Sequence, residues 1–245
     1  AMKQTQIQIK GLSKSFIDNN IFNGIDLSVD KGESLAIIGG SGQGKSVLLK
    51  CIVGLIVPDS GTIYFEGSPL TGKNKKKFIN SFGILFQGAA LFDSLPIWEN
   101  ISFKFKYLGS YSLNDRRIIA EKKLELVGLS NKILDLYPSE LSGGMQKRVG
   151  IARAIATNPK ILFFDEPTSG LDPIMSDIIT KLIRDLIKEL GSTAITISHD
   201  LNSIRVIADK LALLHKGKIE WSGTLKSFEK TENKNVREFI QPGST

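Results

Sequence analysis

One stretch near the start of the chain has glycines, a lysine and a serine at a spacing suited to phosphate chemistry. Gly39 is followed, after four intervening residues, by Gly44-Lys45-Ser46, and an apolar run at residues 35–38 precedes the stretch. Glycines let the backbone turn tightly and aim N–H groups at phosphate oxygens, and the helix expected to follow adds the positive end of its dipole. We therefore predict a nucleotide-binding loop in which Lys45 lies along the terminal phosphates and Ser46 holds Mg²⁺.

Two adjacent carboxylates stand at the end of a second apolar run. Asp165 and Glu166 directly follow residues 161–164, which are all apolar. Ligands of α/β folds lie at the carboxyl ends of the strands, and two like charges there are costly without a compensating cation. We predict that Asp165 supports Mg²⁺ and that Glu166 is the general base for an attacking water molecule.

A third strand-like run, at residues 193–198, ends at a histidine. His199 is one of two histidines in the chain, and it occupies the same place relative to its strand as Asp165 and Glu166. We expect it to contact the γ-phosphate. The other histidine, His215, is expected at a surface turn.

Two further stretches place polar groups at the ends of predicted elements. Gln87 ends the apolar run at residues 82–86. Ser142 suits the N-cap of a helix that starts with Gly143 and Gly144, whose accessible backbone N–H groups offer a second anion site. From these residues alone, a plain capped helix is the preferred interpretation of the second stretch.

An aromatic residue, Phe16, precedes the glycine-rich stretch by a short distance. It could stack on a nucleotide base, because any base has a face that can lie on an aromatic ring. It could equally fill the core. Its chemistry alone favours the core.

The composition is that of an ordinary globular protein. The chain has 245 residues, of which 41% are hydrophobic and 23% charged, and this suits one large α/β domain or a core with a sizeable insertion. No stretch approaches the ~18 uninterrupted apolar residues of a membrane span, and no secretory leader is expected. The single cysteine, Cys51, cannot form an internal disulfide. We expect a cytoplasmic protein.

The charge balance decides little about partners. A formal net charge of +7 leaves nucleic acid, anionic membrane surfaces and acidic proteins all open. The densest basic run, at residues 73–77, contains no aromatic residue. We expect it to be a solvated loop.

Hydrophobic periodicity predicts strands at both ends of the chain and helices in its middle. The predicted strands include residues 5–10 and 25–29, and the predicted helices include 97–107, 114–127, 132–137 and one that starts near 142. A helix after Pro173 should bury one apolar face, made of Ile174, Ile178, Ile179, Leu182, Ile183, Leu186, Ile187 and Leu190. Two short amphipathic helices are expected between residues 224 and 240. The strand-free residues 88–157 indicate a helical subdomain within a strand-and-helix chain.

In this order and at these spacings, the motifs resemble those of the ATP-binding cassette family. They are Gly39–Ser46, Gln87, Leu141–Gly144, Phe164–Pro167, Ser169–Asp172 and His199, and the resemblance extends from Phe16 to about Gly223. It implies an α/β fold with a RecA-like P-loop NTPase core, an antiparallel β subdomain and a helical subdomain. It assigns residues 1–87 and 158–223 to the core and β subdomain, 88–157 to the helical subdomain and 224–245 to a helical tail.

The resemblance also implies ATP hydrolysis by a head-to-tail homodimer. Each ATP is expected between the phosphate loop of one protomer and the Ser142 helix start of the other. Phe16 resembles the aromatic that stacks on adenine, which reverses the preference for the core. Gln87 resembles the glutamine that contacts Mg²⁺ or the attacking water and couples to a membrane partner, and Asp172 is expected at the dimer contact.

The remaining ATP contacts are expected from two backbone segments. They come from Gly39, Gly40, Ser41, Gly42, Gln43, Gly44, Lys45, Ser46 and Val47, and from Ser142, Gly143 and Gly144 of the other protomer. Met145 stands where the family commonly has glutamine. Because the phosphate contacts precede it, we expect activity to survive with an altered interface.

A narrower resemblance is to the ATPase subunit of Mla-type lipid transporters. It rests on residues 85–95, the form Glu140–Met145 of the signature, and residues 236–240. It implies transport of a phospholipid or another hydrophobic substrate, with a multi-span permease and an Mce-domain lipid-binding partner. The chain would lie peripherally on the cytoplasmic face of a bacterial inner membrane.

Three alternatives to lipid transport remain. One is an importer of amino acids or metal complexes, and another is a soluble cassette ATPase of iron–sulfur cluster assembly. A DNA-repair or translation-factor ATPase is disfavoured, because the chain has no long coiled-coil insertion and no second cassette. No nucleic acid partner is expected.

Overall fold

The strands of the chain form two sheets. The computed structural model describes residues 4–241, so the expectations for residues 1–3 and 242–245 lie outside the described part. The strands are β1 (Thr5–Phe16), β2 (Asn19–Asp30), β3 (Ser34–Ile38), β4 (Ser60–Phe65), β5 (Ser68–Pro69), β6 (Phe82–Leu85), β7 (Ile161–Asp165), β8 (Thr193–Ser198), β9 (Lys210–His215) and β10 (Lys218–Thr224). The smaller sheet has the antiparallel order β2-β1-β4-β5, and the larger has the order β10-β9-β3-β8-β7-β6.

The helices lie between these strands. They are α1 (Lys45–Ile52), α2 (Gly72–Ser81), α3 (Ile97–Ser102), α4 (Leu113–Leu126), α5 (Gly143–Ile155), α6 (Pro173–Leu190), α7 (Leu201–Ile207), α8 (Leu225–Phe228) and α9 (Lys234–Ile240). Short 3₁₀ turns occupy Phe103–Lys106, Asn131–Ile133 and Pro138–Glu140. The last two helices agree with the two expected in the tail.

Five neighbouring strands of the larger sheet run parallel, and only the pair β9 and β10 is antiparallel. Parallel strands joined by helices are buried on both faces, which explains their uninterrupted apolar sequences. Asp165 of β7 is in register with Ile197 of β8, and Ile38 of β3 with Ser198. The segments that follow these three strands therefore begin at one edge of the sheet.

Apolar side chains cover both faces of the larger sheet. Alternate residues of each strand point to opposite faces, so Phe163 packs with the antiparallel sheet and α1, whereas Phe164 packs with α5 and α6. A third cluster joins β9 to α7, α8 and α9. The sheet thus lies between two packed layers. The polar segments begin at the edge where β3, β7 and β8 end.

The structure corrects two predictions for the first half of the chain. Residues 73–77 are not a loop, because they belong to α2, which turns its lysines outward and buries Phe78. The Phe78 ring centroid lies 5.3 Å from that of Phe65 and 5.0 Å from that of Phe82. The first strand is longer than residues 5–10, since β1 continues to Phe16 in pairing with β2.

Two predicted helices of the middle region are shorter than expected. The helix predicted at residues 97–107 ends at Ser102 and continues as a 3₁₀ turn. Of residues 132–137, only the start is helical, in the turn Asn131–Ile133. Pro138 follows this segment and disfavours the α conformation in the residue before it.

The predicted apolar face of α6 is wrong at its first turns. Ile174 and Ile178 are exposed, whereas Ile179, Ile183 and Leu186 are buried. The apolar stripe is therefore covered from Ile179 onward, where the helix lies against the core.

The packing of β6 against α5 leaves no room for a side chain at Gly83. A Cβ atom added there would lie 1.8 Å from the carbonyl oxygen of Ala154. We expect Gly83→Ala to lower the free energy of unfolding by about 1–3 kcal/mol, the usual cost of overpacking, measured by chemical denaturation. The exposed Asn80→Ala is the control, and an unchanged midpoint for the glycine variant would contradict this packing.

Candidate active site

The loop between β3 and α1 requires glycine at two of its positions. Gly44 precedes α1 in the left-handed conformation, with φ of 89°, and a Cβ atom there would lie 2.5 Å from Ile21 Cγ2. At Gly39 an added Cβ would lie 2.4 Å from the carbonyl oxygen of Leu214. The third residue of α1, Val47, packs against the core. The loop is thus held closely against neighbouring backbone, as a phosphate cradle requires.

Lys45 is buried inside this loop. Its Nζ donates to the carbonyl oxygens of Gly39 at 2.8 Å and of Gly40 at 2.9 Å. Burial lowers the pKa of Lys45, against the opposing influence of Glu166 and Asp165. The ammonium is therefore held in place by weak neutral acceptors, which a phosphate can replace.

Gln43 fastens the loop to the neighbouring β9–β10 hairpin. Its Oε1 accepts a hydrogen bond from the backbone N–H of Lys216 at 2.8 Å. Ser41 and Gly42 at the tip of the loop are exposed. The loop thus has an anchored base and an accessible tip.

Ser46 and Asp165 bring two oxygen ligands together. The Ser46 hydroxyl donates to Asp165 Oδ1 at 3.0 Å. Burial raises the pKa of Asp165, and the hydrogen bond from Ser46 opposes that rise. A hydroxyl and a carboxylate beside a phosphate loop are the hard oxygen donors that Mg²⁺ prefers, with phosphate oxygens and water completing the shell. The residues present therefore fit the predicted ion.

Glu166 and His199 form a pair at the same edge of the sheet. His199 Nδ1 lies 2.9 Å from Glu166 Oε2, and the Glu166 side chain is largely buried while that of His199 is exposed. Glu166 has a φ of 46°, in the left-handed region that is unfavourable for residues with a side chain. Its backbone N–H donates to Ile197 O at 2.9 Å, which fixes this conformation. The carboxylate therefore faces the solvent-accessible edge from a rigid position.

Gln87 contacts a different part of the edge. Its Nε2 donates to Ser169 Oγ at 3.3 Å. Within residues 4–241 it makes no hydrogen bond to Ser46 or Asp165, and its predicted contact with Mg²⁺ or the attacking water stays a prediction.

The segment after Gln87 is held by a partly buried arginine of α5. Arg153 donates to Ala89 O at 2.6 Å and to Ala90 O at 2.9 Å, and both alanines have positive φ angles. Burial lowers the pKa of Arg153 to about 10, so the guanidinium stays charged at neutral pH. Helix α5 and the segment after Gln87 are thereby tied together.

The helix start at Ser142 lies apart from the phosphate loop. Ser142 Oγ caps α5 by accepting from Met145 N at 3.3 Å, and Asp172 caps α6 in the same way from Met175 N at 3.0 Å. Gly144 packs so closely on α6 that an added Cβ would lie 3.0 Å from Met175 Sδ. In the described part of the chain, no hydrogen bond joins these segments to the loop. Within the described part of one chain, the two predicted anion sites are therefore not bonded to each other.

Phe16 stands at the end of β1 with 45% of its surface exposed. Lys14 Nζ lies 5.0 Å from the ring centroid and also forms an ion pair with Asp59 at 2.9 Å. The interpretation of Phe16 as a core residue, favoured by its chemistry alone, is wrong. Its ring is available for stacking, as the resemblance implies.

Two cations of α5, the buried Lys147 and the partly buried Arg153, were not predicted from the sequence. Arg153 holds the segment after Gln87, and Lys147 Nζ lies 3.5 Å from the carbonyl oxygen of Glu166. The spacing of Gly144, Lys147 and Ile151 places all three on one face of the helix, which the sequence alone could have indicated for Lys147. In the structure all three residues are buried. A lysine within a buried stripe indicates a specific partner.

None of the helices within residues 4–241 combines the length and the hydropathy needed to span a bilayer.

Comparison with known proteins matches the family model described as ABC transporter over residues 22–169. The probable ribonucleotide transport ATP-binding protein mkl of Mycobacterium leprae is 34% identical over 96% of this chain and 68% of its own length. Protein TRIGALACTOSYLDIACYLGLYCEROL 3, chloroplastic, of Arabidopsis thaliana is 36% identical over 95% and 72% of the two chains. The methionine import ATP-binding protein MetN of Corynebacterium diphtheriae is 38% identical over 98% and 72%.

Two solved structures resemble the whole fold. The dimeric bacterial ABC transporter cassette MJ0796 has a TM-score of 0.81 and 32% identity, covering 89% of this chain and 98% of that one. The protein cbiO1 from Clostridium perfringens, part of the complex cbiONQ, has a TM-score of 0.81 and 30% identity, covering 98% and 96%. The expected α/β fold is confirmed. The chain belongs to the ABC transporter family, has the fold of its ATP-hydrolysing cassettes and is an ATP-binding subunit of that family.

Proposed function

We propose that Glu166 is the general base of ATP hydrolysis in this subunit. The observation that carries the proposal is the position of its carboxylate, which is bonded to His199 and lies beside the Ser46–Asp165 pair. The carboxylate takes a proton from water while the water oxygen attacks the γ-phosphorus. The bond from that phosphorus to the bridging oxygen breaks, and ADP and inorganic phosphate leave.

The surrounding residues act on the phosphates rather than on the water. Lys45 exchanges its two carbonyl acceptors for phosphate oxygens, and the loop N–H groups bind the remaining ones. His199 contacts the γ-phosphate with the ring nitrogen that does not face Glu166. Ser46 and Asp165 would hold Mg²⁺, which would supply positive charge where negative charge develops on the phosphates.

We infer that two copies complete each site in a head-to-tail homodimer. Within the described part of one chain, no hydrogen bond joins the Ser142 helix start to the phosphate loop, which leaves that helix start free to serve another copy. The likeness to a dimeric cassette also supports this arrangement. In the dimer, Ser142, Gly143 and Gly144 of one protomer face the ATP of the other, and Asp172 lies at the contact. Phe16 stacks on adenine.

For the substrate, we propose a phospholipid or another hydrophobic molecule moved at a bacterial inner membrane. The form of the signature around Met145 and the segment after Gln87 support this reading. So does the similarity to an Arabidopsis protein whose name is that of a galactolipid. The partners are a multi-span permease and an Mce-domain lipid-binding protein, with this chain on the cytoplasmic face.

A second candidate is import of a small polar solute. The similarity to a protein named for methionine import favours it, since its identity of 38% exceeds the 34% and 36% of the other two relatives described above. The ATP chemistry is the same in both cases, so only the partners separate them.

Glu166→Gln removes the base and keeps the shape of the side chain. We expect hydrolysis to fall by ~10²–10⁴, the usual contribution of general-base catalysis, while ATP still binds. Phosphate release and binding of a fluorescent ATP analogue measure the two effects. The exposed Glu220→Gln is the control, and near-parental turnover in Glu166→Gln would contradict the assignment.

Lys45→Ala removes the ammonium along the terminal phosphates. We expect ATP retention to be lost, because no other side chain of the loop carries positive charge. Titration calorimetry with ATP measures the affinity, and the exposed Lys230→Ala serves as the control. An unchanged affinity in the loop variant would count against the predicted site.

The partners are tested by tagging the chain at low copy in its native cell and extracting membranes in mild detergent. Co-purification of a multi-span permease, an Mce-domain protein and bound phospholipid is the expected result. A permease with a solute-binding protein and no lipid would favour the importer. Recovery in the soluble fraction with an iron–sulfur scaffold would contradict transport altogether.

A further inference from the structure

Lys147 is a buried cation one turn into helix α5. It is 4% exposed and stands three residues after Gly144, on the face of the helix that packs on the sheet. Its Nζ donates to the carbonyl oxygen of Glu166 at 3.5 Å, the only hydrogen bond of this side chain within residues 4–241. The ammonium therefore reaches the backbone of the residue proposed as the general base.

The charges around Lys147 explain why a cation is needed there. Asp165 and Glu166 are 4% and 9% exposed, and both act electrostatically on Lys147. The other cation of the cluster, Lys45, is directed into the phosphate loop, where its donors serve ATP. Lys147 thus remains to compensate the two carboxylates whether or not ATP is bound, together with Lys50 of α1, which acts electrostatically on Asp165.

The backbone of Glu166 is the point on which Lys147 acts. Its positive φ is a conformation that surrounding contacts must hold in place. Two groups bind its carbonyl oxygen, the N–H of Ser169 at 3.1 Å and the ammonium of Lys147. Without the ammonium, one of these two restraints is lost and the carboxylate is less well aimed.

We propose that Lys147 is a positioning residue that aims Glu166 and links it to the start of α5. The inference rests on the proposed role of Glu166. Because a helix turn is rigid, a shift of Ser142–Gly144 is transmitted to Lys147, which lies about one turn away. Engagement of that helix start by a nucleotide then bears directly on the placement of the general base.

The test is Lys147→Met, which keeps the length of the side chain and removes its charge. We expect kcat for ATP to fall about tenfold to a hundredfold, the scale of misaligned catalytic groups, with little change in ATP affinity. Lys147→Arg should recover most of the rate, because it restores the cation. Lys147→Gln, a polar neutral replacement, should behave like the methionine variant and serves if that variant does not fold.

Two comparisons separate positioning from loss of stability. Arg148→Met is the matched control, since Arg148 lies on the same helix and donates to the carbonyls of Val127 and Gly128, away from the carboxylates. It should leave kcat unchanged even if it lowers the unfolding midpoint. In a protein that already carries Glu166→Gln, Lys147→Met should cause no further loss of kcat, because both substitutions act through the side chain of residue 166.

Each remaining outcome overturns the inference. Positioning through Glu166 would be excluded if kcat were unchanged in both Lys147→Met and Lys147→Gln. It would also be excluded if Arg148→Met lowered kcat as much, or if Lys147→Met lowered kcat in the Glu166→Gln background as much as in the parent. Near-parental turnover in Glu166→Gln alone overturns both proposals. If kcat falls in Glu166→Gln but not in Lys147→Met or Lys147→Gln, only the role of Lys147 is overturned.

Discussion

The burial of four charged groups at one edge of the sheet is the constraint on which the rest of this structure depends. Lys45 and Lys147 meet Asp165 and Glu166, and all four side chains are nearly inaccessible. Desolvation of a single charge is expensive, so each group requires the others. The balance of two cations and two anions explains why elements distant in the sequence, α1, β7 and α5, must pack at one place.

The parallel sheet makes that meeting geometrically simple. Because β3, β7 and β8 are in register, the segments that leave them start at one edge, and polar residues placed after each apolar run converge. This is why Ser46, Asp165, Glu166 and His199 could be grouped from sequence: a strand of known direction fixes where its last residue lies. Glycine at residue 39 then permits the close approach of backbone to backbone.

Where the sequence was insufficient, the missing information was which face of a helix packs on which distant element. Lys147 and Arg153 were overlooked because their partners are backbone carbonyls, which no side-chain motif records. The basic helix α2 was mistaken for a loop because its lysines outweigh Phe78, the residue that anchors it in an aromatic cluster. The interpretation of Phe16 from its chemistry alone and the prediction for Ile174 were wrong because an apolar side chain does not by itself reveal whether other residues cover it.

The same charge balance bears on the proposal that two chains complete each ATP site. The formal charges of the two buried lysines and the two buried carboxylates balance, and Lys45 lies inside the phosphate loop, where its two carbonyl acceptors can be replaced by a phosphate. A bound triphosphate adds negative charge that Lys45 and the loop N–H groups only partly offset. The helix start at Ser142 presents further N–H groups and a positive dipole, but within the described part of one chain no hydrogen bond joins it to the loop. In the proposed dimer a second copy supplies it, and Lys147 ties that same helix to Glu166. Nucleotide binding at the helix start and placement of the base would then be parts of one packed unit.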